Sequence, residues 1–245
     1  MRGSTWRFWL VTLATLLTMA VTAALGLWQL DRAAQKRNLQ ASIDERAALP
    51  AWSEADVLRM ADPDAGLHRA VRLSGEWVPN ATLFLDNRQM EGRPGFYVIT
   101  PLRLAGSTQA VLVQRGWVPR DFEDRSRVPE VVTPEGGVGV EGRLAPPPGK
   151  LYELGKAGAG LIRQNVDLEA LTQEWGVPLL ALSVVQTGDA DDGLRREWPV
   201  VAAGVQKHHG YAFQWFGLCA LAGFLYVWFQ FISPRRKRSL HVSDT

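Results

Sequence analysis

Two charge-free runs bracket the chain, and they restrict its fold more than anything between them. Residues 8–30 and 211–232 contain 23 and 22 residues without a charged side chain. At about 1.5 Å per helical residue, each is long enough to cross a hydrocarbon core about 30 Å thick, so both are expected to be transmembrane helices. The first run lacks a small-x-small cleavage site and exceeds the roughly 7 to 15 apolar residues of a signal peptide, so it reads as a retained anchor. The expected organisation is a short amino-terminal segment at 1–7, a span at 8–30, an intervening domain at 31–209, a second span at 210–232 and a basic tail at 233–245.

Charge predicts the orientation. Outside 31–209 the chain carries Arg2, Arg7, Arg235, Arg236, Lys237 and Arg238 against Asp244 alone, while the intervening segment is net negative by three. Basic residues beside a span stay on the cytoplasmic side, so both termini are expected inside and the long segment outside. Arg32, Lys36 and Arg37 oppose the rule, but long domains translocate with little regard to charge. The block at 235–238 is read as a topology anchor, with no nucleic-acid role. Trp6, Trp9, Tyr226 and Trp228 would mark the inner interface, and Trp28, Tyr211 and Trp215 the outer one. Small residues every fourth position, at Ala14, Thr18, Thr22 and Gly26 and again at Cys219 and Gly223, suit close packing of the two helices or of a partner membrane protein. A first span that starts at residue 8 leaves no room for a mitochondrial presequence, so the expected location is a bacterial inner membrane with the domain periplasmic.

The segment 31–209 is long enough for one compact domain. The chain's one cysteine, Cys219, lies in the second run, so no disulfide, zinc site or thiol centre is expected in that domain. Met60, Met90 and His68 are too scattered for copper handling. After a helical stretch continuing to Pro50 and a short helix capped by Ser53, the texture turns to strands: RAVRLSGEWV, TLFLDNR, GFYVITPLRL, QAVLVQRGWV, VGVEGRLA and ALSVVQT. A further helix is expected at DLEALTQEWG, with Asp167 as N-cap and Gly176 as stop. Pro94 and Gly95 are expected to make a tight turn, and Val111, Val113, Arg115 and Trp117 to share one strand face. The predicted class is α+β: a two-helix transmembrane hairpin carrying one small, mainly antiparallel β domain, sandwich or barrel.

Catalytic patterns are missing from the sequence. His68 has no Cys nucleophile, serine elbow or metal triad to work with. The glycines of GVGVEG and GKAGAG lack the Lys and Ser or Thr of a phosphate loop. The acids Asp121, Glu123, Asp124, Asp191 and Asp192 lie in polar loops and read as solvated surface. At the start of the second run, His208, Tyr211, Ala212 and Trp215 fall three, four and seven apart and so share a helical face. This places an imidazole beside two aromatic rings, a combination that could ligate haem but reads first, from the residues alone, as interfacial polar side chains beside an aromatic belt.

Four blocks carry a resemblance: GLWQLDRAAQKRNLQ at 26–40, NRQMEGRPGFYVITPL at 87–102, VLVQRGWVPRD at 111–121 and HHGYAFQWFGL at 208–218. Together, in order and from the first span to the second, they resemble the surfeit locus protein family, the Shy-type cytochrome c oxidase assembly proteins. The resemblance implies a non-enzymatic assembly factor that helps haem a reach the oxidase catalytic subunit, with the lipid bilayer and haem a synthase as further partners. It assigns the haem contact to the His of a His-x-x-Tyr element, here His208, with Tyr211 and Trp215. This chain has His209 where the family usually has an apolar residue, which leaves two imidazoles for one role. Trp28 would cover the cofactor, and Arg32 would meet a haem propionate, an oxidase carboxylate or a lipid phosphate. A membrane-anchored extracytoplasmic ligand-binding or scaffold protein without haem is the alternative; against a ligand sensor, the short terminal segments are expected to leave no room for a cytoplasmic signalling domain.

Overall fold

A computed structural model describes residues 2–124, 127–149, 160–188, 192–199 and 204–233. The basic block at 235–238, Asp191 and most of the GKAGAG stretch lie outside these residues. Two compact units are resolved, residues 1–40 with 200–245 and residues 41–199.

The first unit is helical. Helix α1 runs Arg2–Ala47 without interruption. Its sequence offers no proline before Pro50, and alanine, leucine, arginine and glutamine keep the helix favourable after the apolar run ends. The second long helix, Val205–Val227, follows a left-handed Gly204 (φ 83°) and runs into a π-helical turn at Trp228–Ile232. Both are long and apolar enough to cross a membrane.

The two helices pack antiparallel. Thr12 Oγ1 lies 2.8 Å from Tyr226 Oη, Cys219 Sγ donates to Met19 O at 3.5 Å, and a Cβ added to Gly26 would sit 2.7 Å from the Phe216 ring. Shielded positions on α1 recur at Phe8, Thr12, Thr15, Met19, Thr22, Gly26 and Gln29. That alternation of four and three residues is a 3.5-residue repeat, the seam of supercoiled helices. It corrects the expected every-fourth stripe: Thr22 and Gly26 belong to the seam, whereas Ala14 and Thr18 are exposed. A strict four-residue spacing precesses around the helix and leaves the contact line within two turns.

The second unit is built on a seven-stranded mixed sheet. Its strands are β1 (Ala70–Trp77), β2 (Leu83–Met90), β3 (Arg93–Leu104), β4 (Ala110–Pro119), β5 (Gly137–Ala145), β6 (Ile162–Arg163) and β7 (Leu179–Gln186). The order is β1-β5-β7-β4-β3-β2-β6, and β1 also pairs with β3, so five strands form a closed cycle of pairings. The β4–β7 and β2–β6 pairs are parallel and the others antiparallel. Short helices α2 (Glu54–Arg59), α3 (Pro63–Gly66) and α4 (Leu168–Trp175) pack around the sheet, and Val205–Val227 is α5. Val57 of α2 joins a core with Leu73, Leu102, Val113, Leu144 and Val184, while Leu171 of α4 joins Leu83, Leu85, Ile99 and Leu112.

Caps behave as the chemistry requires. The Asp167 carboxylate accepts from the N–H groups of Glu169 and Ala170, and Gly176 ends α4 in the left-handed region (φ 63°). At α2 the roles are partly reversed: Asp56 Oδ2 accepts from both Ser53 N (2.9 Å) and Ser53 Oγ (2.8 Å).

Two local expectations are overturned. The β2–β3 turn is made by Glu91 and Gly92, both at positive φ, and Pro94 and Gly95 lie inside β3. Gly95 is needed there because an added Cβ would meet the Val118 carbonyl and lie 2.5 Å from the Trp117 ring. The second concerns β4: Val98 pairs with Gly116 but Ile99 pairs with Gln114, so Arg115 is an extra, bulged residue. The bulge reverses the alternation, leaving Arg115 on the side of Val111 and Val113 while Trp117 turns to the opposite face, opposite Tyr97.

Candidate functional site

The sequence-singled residues gather at one end of the helix pair. Gly204 lets the chain enter α5 from a left-handed conformation, and His208 falls in the first turn. Close approach at Gly26 brings the next seam position on α1, Gln29, against it: His208 Nδ1 lies 2.7 Å from Gln29 Oε1. An amide oxygen only accepts, so with Oε1 turned to the ring this contact requires the proton on Nδ1, the tautomer whose lone pair is on Nε2. The imidazole is half-buried. Trp215 is half-buried two turns along the same helix, and Ala212 between them is fully packed.

The other named side chains lie off the seam. Tyr211 is 53% exposed and Trp28 is 50% exposed, so the expected common face of His208, Tyr211 and Trp215 is divided. Arg32 stands over the Trp28 ring at 5.8 Å and donates to Gln35 Oε1 at 3.1 Å, while Gln35 donates to Asp31. The result on α1 is a solvent-facing aromatic–guanidinium pair one residue removed from the Gln29 seam. His209 is half-buried, and among the described residues its ring has no hydrogen-bond partner. The two adjacent histidines are therefore unequal: one is oriented by a second helix, the other is not.

Gln29 is the residue whose role the sequence left unread. Its signal was present in the spacing, three residues after Gly26 at the level where α5 begins, but the partner is 179 residues away.

The remaining family-like blocks fold inward within the β unit. Arg115 is buried, sits 4.9 Å over Trp77, and donates to Thr133 Oγ1 (2.9 Å), Val132 O (2.8 Å) and Asp192 (3.5 Å). Asp192 also takes Arg196 at 2.6 Å, and Arg196 Nε donates to Arg115 O. Burial pushes the Arg115 guanidinium below the usual arginine value, and Asp192 pulls it back up. Arg88 donates to Gly149 O and Gln164 O and lies over Tyr97; its own carbonyl accepts the Trp117 indole N–H at 2.9 Å. These groups hold loops to the sheet. Among the described residues no three His, Cys, Asp or Glu side chains converge as a metal-ion site.

Comparison with known proteins shows the family of the chain. A SURF1-like protein of Rickettsia bellii is 27% identical over 224 residues, covering 85% of this chain and 86% of that protein. A SURF1-like protein of Rickettsia felis is 29% identical over 118 residues, or 47% of this chain and 48% of the relative, so that alignment spans about half of each. The cytochrome oxidase assembly protein SHY1 of Saccharomyces cerevisiae is 26% identical over 100 residues, 40% of this chain and 25% of the yeast protein. The model of the SURF1 family matches residues 16–220, from within the first apolar helix to within the second, and the chain belongs to that family.

Proposed function

We propose that this chain is an assembly factor for haem-copper cytochrome c oxidase, and that it holds haem a transiently for insertion into the catalytic subunit. In this reading both long helices span a bacterial inner membrane, both termini are cytoplasmic, and the β unit is periplasmic and docks the oxidase or haem a synthase. The yeast relative's name supplies the assembly role. The donor set at Gln29 and His208 supplies the cofactor.

Haem fits that set chemically. It brings four equatorial nitrogens and needs from the protein an axial donor, apolar surface and cations for its carboxylates. His208 Nε2 offers the lone pair, Trp28, Tyr211 and Trp215 offer apolar rings, and Arg32 offers the cation. A resident divalent ion would want three or four converging ligands, which one oriented imidazole does not provide. When bound, haem would contribute only its iron's exchangeable axial site. The chain's own work is to present Nε2, shield the macrocycle's faces and let it go. Exposure of Trp28 and Tyr211 favours release over permanent retention. No bond-making step is assigned to the chain.

The observation that carries this reading is the inter-helix bond that orients His208. The test is to purify the full-length protein from cells making haem a and record its spectrum. Wild type should carry haem, and His208→Ala should lose most of it. Unchanged occupancy in a His208→Ala, His209→Ala double variant rejects the reading. Normal oxidase haem in a deletion strain would support the haem-independent scaffold instead.

A further inference from the structure

We infer that Gln29 is the positioning residue that fixes the tautomer of His208 and thereby selects Nε2 as the nitrogen offered to a ligand. The inference rests on the haem reading only for its consequence, because the tautomer belongs to the ligand-free protein.

The argument starts from chemistry. A neutral imidazole in water favours the proton on Nε2, which would leave Nδ1, the nitrogen crowded by the ring's own backbone, as the donor. Presenting the unhindered Nε2 requires a group that accepts a proton from Nδ1. Ligating histidines commonly obtain this from a carboxylate or carbonyl, and losing that partner typically lowers affinity for the ligand about 10- to 100-fold. In this chain the acceptor is a side-chain amide on another helix, at 2.7 Å, the short end of the range for such bonds.

The fold holds the pair together at both ends. Gln29 follows Gly26 by three residues on the seam, and the lack of a side chain at Gly26 is what admits the Phe216 ring of α5. The distance between helices at this level is therefore short enough for two side chains to meet without a bridging water. His209 lacks such an acceptor among the described residues, which resolves the choice between the two imidazoles in favour of His208. Gln29 touches neither iron nor porphyrin in this proposal; it acts through His208.

The test begins without haem. Full-length protein labelled with nitrogen-15 histidine, at a pH where imidazole is neutral, is examined by NMR. Wild type should show a deprotonated, pyridine-type Nε2 for His208, and Gln29→Leu should shift that signal to the protonated, pyrrole-type position. Gln29→Glu, which keeps an acceptor, should retain the wild-type tautomer. The same proteins are then titrated with haem a and with ferric protoporphyrin IX. Gln29→Leu should bind at least about tenfold more weakly. Gln29→Glu should bind comparably with a lower reduction potential, because a carboxylate draws the Nδ1 proton and makes the ring a stronger donor to ferric iron. A merely structural Gln29 would not separate these two variants in that way.

A protonated Nε2 in wild type, or an unchanged tautomer in Gln29→Leu, overturns the inference. So does haem binding by Gln29→Leu with wild-type affinity and potential when the His208→Ala, His209→Ala double variant has lost its haem. Failure of the haem reading looks different: the tautomer responds to Gln29 as stated, yet the His208→Ala, His209→Ala double variant keeps its haem.

Discussion

In the β unit, Arg88 and Arg115 are buried and direct their donors at carbonyls, a hydroxyl, one carboxylate and the faces of Tyr97 and Trp77. At the Gln29 level of the helix pair, Trp28 and Tyr211 are half exposed, and among the described residues the Arg32 guanidinium pairs only with its own helix. Both regions contain family-like sequence blocks, rich in the same residue types. The contrast teaches that a Trp, Tyr or Arg in a motif says little about binding until its hydrogen-bonding capacity has been accounted for. Where the fold has already used it, the residue is architecture; where the fold leaves it open, a ligand can use it.

The sharpest way to break this contrast is to remove a ring from each side. Trp117 is wholly buried, its indole N–H donates to Arg88 O, and Arg195 bonds it on both backbone groups while stacking at 5.8 Å. Trp117→Ala should cost the β unit about 3–5 kcal/mol. Denaturant unfolding of the full chain in detergent, followed by the far-ultraviolet β signal, measures this. Trp28→Ala should leave that midpoint unchanged. If the two substitutions destabilise the β unit equally, the division between architectural and open aromatics is wrong.

Much of the β unit was legible because its signals are local. Alternation in RAVRLSGEWV and the continuous apolar run in QAVLVQRGWV, together with the Asp167 and Gly176 caps, mark elements by what neighbours in sequence need from each other. What escaped depends on register. The two-residue β6 exists only because Phe84 and Leu85 pair with it, and the bulge at Arg115 only because β3 is one residue short opposite it. Gly95 looked like a turn former because glycine often is one; its neighbour Trp117, a strand away, gives the other reason. The same limit applies at the candidate site. Two histidines beside an apolar run are visible in the sequence, but the inequality between them follows from the alignment of two helices far apart in the chain.

A smaller effect sharpens the helix side. The Thr12–Tyr226 hydroxyl pair is the far-end counterpart of the Gln29–His208 bond, and it joins the same two helices. Tyr226→Phe removes it with little change in shape and should weaken the pair by about 0.6 kcal/mol, the usual scale for a hydrogen bond between membrane helices. Titration of the full chain with dodecyl sulfate, followed by helix signal, reads the loss. Haem affinity should stay at the wild-type level, since the bond holds helices without orienting a ligand. Loss of haem in Tyr226→Phe would mean that packing alone, rather than the open side chains at the other end, governs the site.

The smallest expected effect belongs to His68, the histidine of the β unit. It sits at φ 69°, its backbone N–H donates to Leu144 O at 2.8 Å, and its buried Nδ1 has no partner among the described residues. Burial, with Arg143 and Arg46 nearby, lowers its pKa below the ordinary value of 6.5. The folded state thus favours the neutral ring, and the unfolded chain takes up the proton first as pH falls. Stability from this group is complete above about pH 6.5 and declines below it, through the interval down to the lowered folded value. His68→Asn tolerates the positive φ and removes the titration, so its unfolding midpoint should flatten over that interval relative to wild type. An unchanged slope would mean that burial in the β unit does not keep protons from His68, and that its shielding differs less from the open end of the helix pair than Arg88 and Arg115 suggest.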